Sequence, residues 1–278
     1  MIIRKLRTHQ EYLDAEDIQR TVWHFPEREV IPLNELVVAQ KNGGHVMGAF
    51  DDGRMVAFCF GVPGFHDGKV YHYSRMLGVL PEYQDRGLGH EMKLVQRKLV
   101  LEQGLDLVKW TFDPLQSRNA YLNIEKLGCV IRAYLVNVYG ESGSRFNQGL
   151  ETDRFVPEWW IASKRVKDRL AGRTRPPSLA ESEAYAPAID CARTHDGWLE
   201  AKASRPRLRD RRVSVEIPDA IDALKRHDGK SAQAWRFRTR DAFVAYFKRG
   251  YVVCGYATGK DGAHRRNLYL LEKGHRVR

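Results

Sequence analysis

Apolar residues along the chain alternate in some stretches and fall at helical spacing in others. Residues 2–7 alternate weakly and read as an edge strand. From Gln10 to Trp23, Leu13, Ile18 and Val22 recur at roughly helical spacing with charges between them, which predicts a helix. Residues 24–44 are mixed: Pro26, Pro32 and Gly43-Gly44 mark turns around a short helix from about Asn34 to Gln40. A meander of three strands is expected next, over His45–Asp51, Met55–Val62 and Val70–Val79, joined at Asp51-Asp52-Gly53 and by a loop from Pro63 to Lys69. Leu88, Met92, Val95 and Leu99 then form one apolar stripe on a helix from Gly87 to Gln103, with Lys93, Gln96, Arg97 and Glu102 off it.

The pattern continues with a strand over Leu105–Phe112 and a helix capped by Ser117 or Asn119 that runs to Leu127 and is closed by Gly128. Strands follow at Val130–Tyr139 and Phe155–Ala162. Residues 171–188 hold three prolines and few large apolar groups, so they read as a linker. Past it come a strand at Arg212–Ile217, a helix at Asp219–Arg226, a helix at Thr239–Arg249, and a hairpin of Tyr251–Thr258 with Asn267–Glu272. The series strand, proline stop, helix, glycine cap, strand, strand occurs at 105–163 and again at 212–272, as a weak internal echo. The fold class expected is α/β of the α+β kind, with a mixed, largely antiparallel sheet flanked by helices and a smaller α/β C-terminal region. The domains expected are 1–170, a linker at 171–190, and 191–278.

A chain of 278 residues is long enough for two cores. No apolar run approaches the ~18–20 residues of a membrane span, and Met1 to Arg7 lacks the core of a secretory signal, so no membrane partner is expected. Cys59, Cys129, Cys191 and Cys254 are scattered without metal-ligand spacing. The reading is a reduced, cytoplasmic chain with no metal. The net charge of +11 favours anionic partners and keeps a basic nucleic-acid-binding or sensory module as an alternative.

The stretch that carries chemistry runs from Leu77 through Gly78, Val79, Leu80 and Pro81 to Gln84-Asp85-Arg86-Gly87-Leu88-Gly89. It joins a strand to a helix N-terminus, where unpaired N–H groups and the macrodipole favour a phosphate. A dinucleotide fingerprint would need a third glycine, and a P-loop would need Gly-Lys-Ser/Thr; His90-Glu91 follows here.

Gln84-x-x-Gly87-x-Gly89 after Val79-Leu80-Pro81 resembles the acyl-CoA-binding motif of the GNAT acyltransferase superfamily, and the element order agrees from residue 2 to about 163. Asn119-Ala120 and Lys126-Leu127-Gly128-Cys129 resemble its second block. The resemblance implies a GNAT-type fold with acetyl-CoA or another acyl-CoA as co-substrate. Its pyrophosphate would lie on residues 84–89, its pantetheine arm along Leu77, Gly78 and Val79, and Asn119 would help hold the arm. A small-molecule amine would attack the thioester directly.

The family's acid and base match poorly. Tyr73 stands where some members carry a glutamate base, with His72 and Ser74 on the other strand face. Ile124 stands where many carry a tyrosine acid, while Tyr246 holds that offset in the echo. Tyr73 and His72 are therefore the catalytic candidates, and Glu158 a candidate amine anchor. Asp153-Arg154-Phe155-x-x-Glu158-Trp159-Trp160, Arg165-Val166 and the tail bearing Ile217-Pro218, Trp235-Arg236 and Arg249-Gly250-Tyr251 resemble a bacterial subfamily with an extended C-terminal region. Some of its members serve N-acylamino-acid metabolism, which implies an acetyl or succinyl donor and an amino-acid-like acceptor. A homodimer is compatible with this reading.

Overall fold

A computed structural model describes residues 1–140 and 149–276. They fall into two compact units. The first holds Met1–Trp110 and Trp160–Ala162; the second holds 111–140, Gly149–Trp159 and 163–276.

The first unit is built on strands β1 (Ile2–Lys5), β2 (His45–Asp51), β3 (Arg54–His66), β4 (Lys69–Val79) and β5 (Leu107–Lys109), in that order across the sheet. All neighbours are antiparallel except β4 and β5. Helix α1 (His9–Trp23) starts at a capping box in which Thr8 accepts from the Glu11 N–H and Glu11 reaches back. Helix α2 (Leu33–Lys41) packs beside it, and α3 (Leu88–Glu102) follows the loop after β4. The core gathers Ile18, Leu36, Val46, Met47, Val56, Phe58, Leu88 and Met92.

One irregularity sets the faces of β4. Phe60 pairs with Met76 but Gly61 pairs with Ser74, so Arg75 is an extra, bulged residue. A bulge turns the side-chain alternation over. His72 and Ser74 accordingly meet residues of α3, whereas a Cβ added at Gly78 would meet Trp23 of α1 at 2.7 Å.

The second unit contains α4 (Ser117–Ala120), continued by a π-turn over Tyr121–Lys126, then β6 (Val130–Leu135), β7 (Arg154–Trp160), α5 (Lys164–Leu170), α6 (Leu179–Ser182), β8 (Ala186–Pro187), β9 (Ile189–Arg193) and β10 (Leu199–Ser204). It ends with β11 (Arg212–Ile217), α7 (Ile221–His227), α8 (Gly229–Lys248), β12 (Tyr251–Asp261) and β13 (His264–Lys273). Its strands run β7-β6-β12-β13-β11-β8, with β9 and β10 as a separate hairpin. Phe155, Phe243, Tyr256 and Tyr269 pack edge to face with one another around Phe155 and Tyr269.

The expected linker is not the division. Within 171–190 the chain forms α6, capped by Ser178, and β8, which pairs in parallel with β11 at Val213 and Ser214. Low apolar content hid this because a two-residue strand and a one-turn helix bury little. The boundary falls instead at Trp110 and Thr111, so residues 111–140 share a unit with the C-terminal strands. The third strand of the meander begins at Lys69 and the second extends to His66, because the turn sits on Asp67-Gly68 rather than Pro63.

Candidate functional site

Strand β4 pairs with β3 along its whole length, but with β5 only at His72–Val108 and Tyr73–Lys109. From Ser74 to Val79 its other edge has no ladder partner among the described residues. An open edge inside a sheet presents N–H and C=O groups to whatever extended chain lies beside it. Leu77, Gly78 and Val79 form the last part of that edge.

The chain then turns through Leu80 and a single 3-10 turn at Pro81–Tyr83 into the head of α3. Side chains pin this loop from below. Gln84 Nε2 donates to the Val79 carbonyl at 3.0 Å, Tyr83 OH donates to Asp51 Oδ2 at 2.9 Å, and Arg54 pairs with Glu82 at 3.0 Å. Gln84 is thus spent on holding the loop against β4.

Asp85 (φ 63°) and Gly87 (φ 83°) lie in the left-handed region. Gly87 is the helix N-cap, and a Cβ there would meet no atom within 4 Å, so its glycine serves conformation and open access. Leu88 is buried and anchors the helix. No backbone N–H from Arg86 to Gly89 finds a backbone carbonyl among the described residues. Successive N–H groups at the head of a 15-residue helix make an anion cradle. The Arg86 guanidinium lies 5.4 Å from the Tyr83 ring beside it.

The structure thus brings Leu77, Gly78, Val79, Gln84, Asp85, Arg86, Gly87, Leu88 and Gly89 into one continuous feature. Asn119 belongs to the second unit, exposed on α4. Its helix is N-capped by Gln116 without a side-chain bond, and Ser117 instead donates to the Asp219 carbonyl.

Tyr73 is half-buried. His72, next to it, points to the other face and is fully buried. Its Nε2 lies 3.2 Å from Gln96 Nε2, and its ring centroid lies 4.9 Å from that of His45. Lys93 donates to Ser74 Oγ at 2.8 Å and Gln96 Oε1 at 3.1 Å, and its ammonium sits 3.9 Å from the Trp110 ring centroid. Burial, then the neighbouring charges of His45 and Lys93, pushes His72 down to about 3. Burial and Lys5 push His45 down to about 4. Both rings are therefore neutral, and the buried His72 braces β4 against α3.

Lys93 and Gln96 were expected off the apolar stripe of α3, yet both are buried. The signal was present: Gln96 lies four residues from Met92 and from Val100, on the buried line. Composition masked it, because a lysine and a glutamine read as solvent-facing until Ser74, His72 and Trp110 supply partners.

Glu158 is no open amine anchor: Arg132 clasps it through contacts of 2.8, 2.9 and 3.1 Å. Tyr246 is fully buried and donates to the Arg205 carbonyl, so it holds a loop. The basic run after Ser204 is partly neutralised, Arg205 by Asp190 and Arg212 by Glu272. Among the described residues no helix is long and apolar enough to cross a membrane.

Residues 8–123 match the model of the Acetyltransferase (GNAT) family. No curated protein matches the chain. Among solved structures, the ribosomal-protein-S18-alanine N-acetyltransferase from Escherichia coli is 18% identical, covering 58% of this chain and 94% of its own, with a TM-score of 0.47. Aminoglycoside 6'-acetyltransferase type Ii is 20% identical over 59% of this chain and 99% of its own, with a TM-score of 0.47. The NatC complex bound to Gag peptide and CoA is 11% identical over 56% of this chain and 96% of that chain, with a TM-score of 0.46.

Proposed function

We propose that this chain, whose residues 8–123 match the model of the Acetyltransferase (GNAT) family, is an acyl-CoA-dependent N-acyltransferase acting on the amine of a small molecule such as an amino acid. The observation that carries the reading is the continuity of the unpaired edge of β4 with the N–H cradle at Arg86–Gly89. A CoA molecule has the matching shape, an amide-bearing arm followed by a pyrophosphate. The arm's amides would add to the open edge from Ser74 to Val79, and the pyrophosphate would accept from the loop N–H groups.

Acyl transfer needs little else from the protein. The neutral amine nitrogen forms a bond to the thioester carbonyl carbon, and the charge that develops on oxygen needs a fixed donor, which an N–H on the β4 edge can supply. The carbon–sulfur bond then breaks. The amine loses a proton and the departing sulfur gains one. Tyr73, half-buried on the face opposite His72, is the candidate for that proton transfer, and Tyr73→Phe tests it by lowering kcat more than it raises KM. His72 enters only as support for β4.

Acetyl and succinyl groups are the donors proposed. The test is release of free thiol from acetyl-CoA and succinyl-CoA over D- and L-amino acids and polyamines. Transfer to an amine supports the reading, whereas tight CoA binding with no turnover across the panel would leave a CoA-binding scaffold and remove the enzyme.

A further inference from the structure

The hairpins β6–β7 and β12–β13 follow one plan, and the places where they differ point to a second site. Gly128 and Gly250 precede them, and two residues later stand Val130 and Val252. The next residues, Ile131 and Val253, pair with each other where β6 meets β12, at the centre of the echo. Each strand then carries a bulge, which leaves out Arg132 in one and Cys254 in the other. Glu158 stands opposite Val130, and Glu272 stands opposite Val252. The two hairpins thus place a carboxylate beside a bulged residue at equivalent positions.

In the first hairpin the bulged Arg132 supplies the cation for Glu158. In the second the bulge bears a thiol. Two residues past the end of β13, His275 folds back so that its Nδ1 lies 3.5 Å from Glu272 Oε2. One ligand atom each from Cys254, Glu272 and His275 lie within 4.8 Å of one another. The other carboxylate oxygen, Oε1, is held by Tyr185 OH at 2.9 Å and Arg212 Nε at 3.1 Å. Fixing one oxygen while the other faces the site is how outer groups orient a metal-binding carboxylate.

We propose that Cys254, Glu272 and His275 bind one zinc-like divalent ion, completed by water, on the face of Glu272 that Arg212 and Tyr185 leave open. Sulfur, imidazole and carboxylate are a ligand set for zinc or cobalt and a poor one for magnesium or calcium. Tetrahedral zinc separates its ligand atoms by about 3.5 Å, so the widest pair closes by about 1 Å, within the reach of side-chain rotation. On binding, the Cys254 S–H bond breaks, the proton leaves to solvent, and the sulfur forms the metal bond. Burial holds that thiol protonated in the ion's absence, pushed up to about 12. Sequence spacing missed the set because its members come from two strands and a terminal turn.

The test uses the full chain, stripped with chelator and titrated with cobalt(II) and zinc. One equivalent of cobalt should bind with a sulfur-to-cobalt charge-transfer band in the near ultraviolet, and zinc should bleach it. Cys254→Ala should abolish the band, although three other cysteines remain. His275→Ala, at a position that tolerates change more readily, should weaken binding at least about tenfold, and Tyr185→Phe should weaken it by a smaller factor. Absence of the band in the wild-type chain, a band that survives in Cys254→Ala, or unchanged affinity in His275→Ala would overturn the proposal.

Discussion

Lowering the pH from 8 to 5 should strip this protein of a large part of its stability through two buried rings. His45 and His72 are 1% and 0% exposed and pack against each other. Their Nδ1 atoms have no hydrogen-bond partner. In the unfolded chain each ring titrates at about 6.5. In the folded chain burial, reinforced by the cations around them, moves them to about 4 and about 3.

Below pH 6.5 the unfolded state therefore takes up protons that the folded state refuses, and stability falls as the pH drops. Each ring contributes about 1.4 kcal/mol per pH unit in that window. Two rings over the interval from 6.5 to 5 cost about 4 kcal/mol, against a typical total of ~5–15 kcal/mol. Glu11, held down to about 2 first by its hydrogen bond from Arg4, loses its contribution only in more acidic solution. Denaturant unfolding at pH 8, 6.5 and 5 measures the loss, and hydrogen exchange of the β2, β3 and β4 amides assigns it to these strands. His45→Gln should halve the loss. A wild-type stability that stays level from pH 8 to 5, or a variant that loses as much as the wild type, would refute the neutral buried pair.

Gly87→Glu places a side chain at a φ of 83° and a carboxylate beside the cradle. It should lower stability by about 1–2 kcal/mol and weaken CoA binding at least about tenfold, read by calorimetry, with Gly87→Ala separating strain from charge. Asp153 is fully buried and accepts from Tyr134 OH at 2.6 Å and from Arg240 Nε at 2.8 Å. Asp153→Ala leaves the Arg240 charge with less compensation and should cost about 3–5 kcal/mol, a fall in Tm of roughly 10 °C by calorimetry. Ser74→Ala removes an acceptor from Lys93 and should cost about 1–3 kcal/mol in denaturant unfolding, with faster exchange of the β4 amides.

The loop and its flanking elements were legible because each depends on local chemistry. A strand rich in tyrosine and valine, a glycine that needs positive φ, and a 3.6-residue stripe are all written within a few residues. The features missed depend on distant partners. Helix α8 begins at Gly229, ten residues before the expected start, because Asp228 caps it and Trp235 and Arg236 are drawn into the core. The hairpin of β9 and β10 was unseen, since its strands are half-buried and carry charges. The same cause hid Lys93 and Gln96. A polar residue looks solvent-facing until the fold brings Ser74 and His72 to it.

The proposed CoA site sets the phosphates on the head of α3 and the arm on the open edge of β4. Calorimetric titration of the intact chain with CoA, and in parallel with pantetheine, which lacks the phosphates, tests both parts. CoA should fill one micromolar site per chain, and pantetheine should bind about a hundredfold more weakly, because several charge-assisted N–H contacts are lost. Equal affinity for the two, or no heat with CoA, would contradict it.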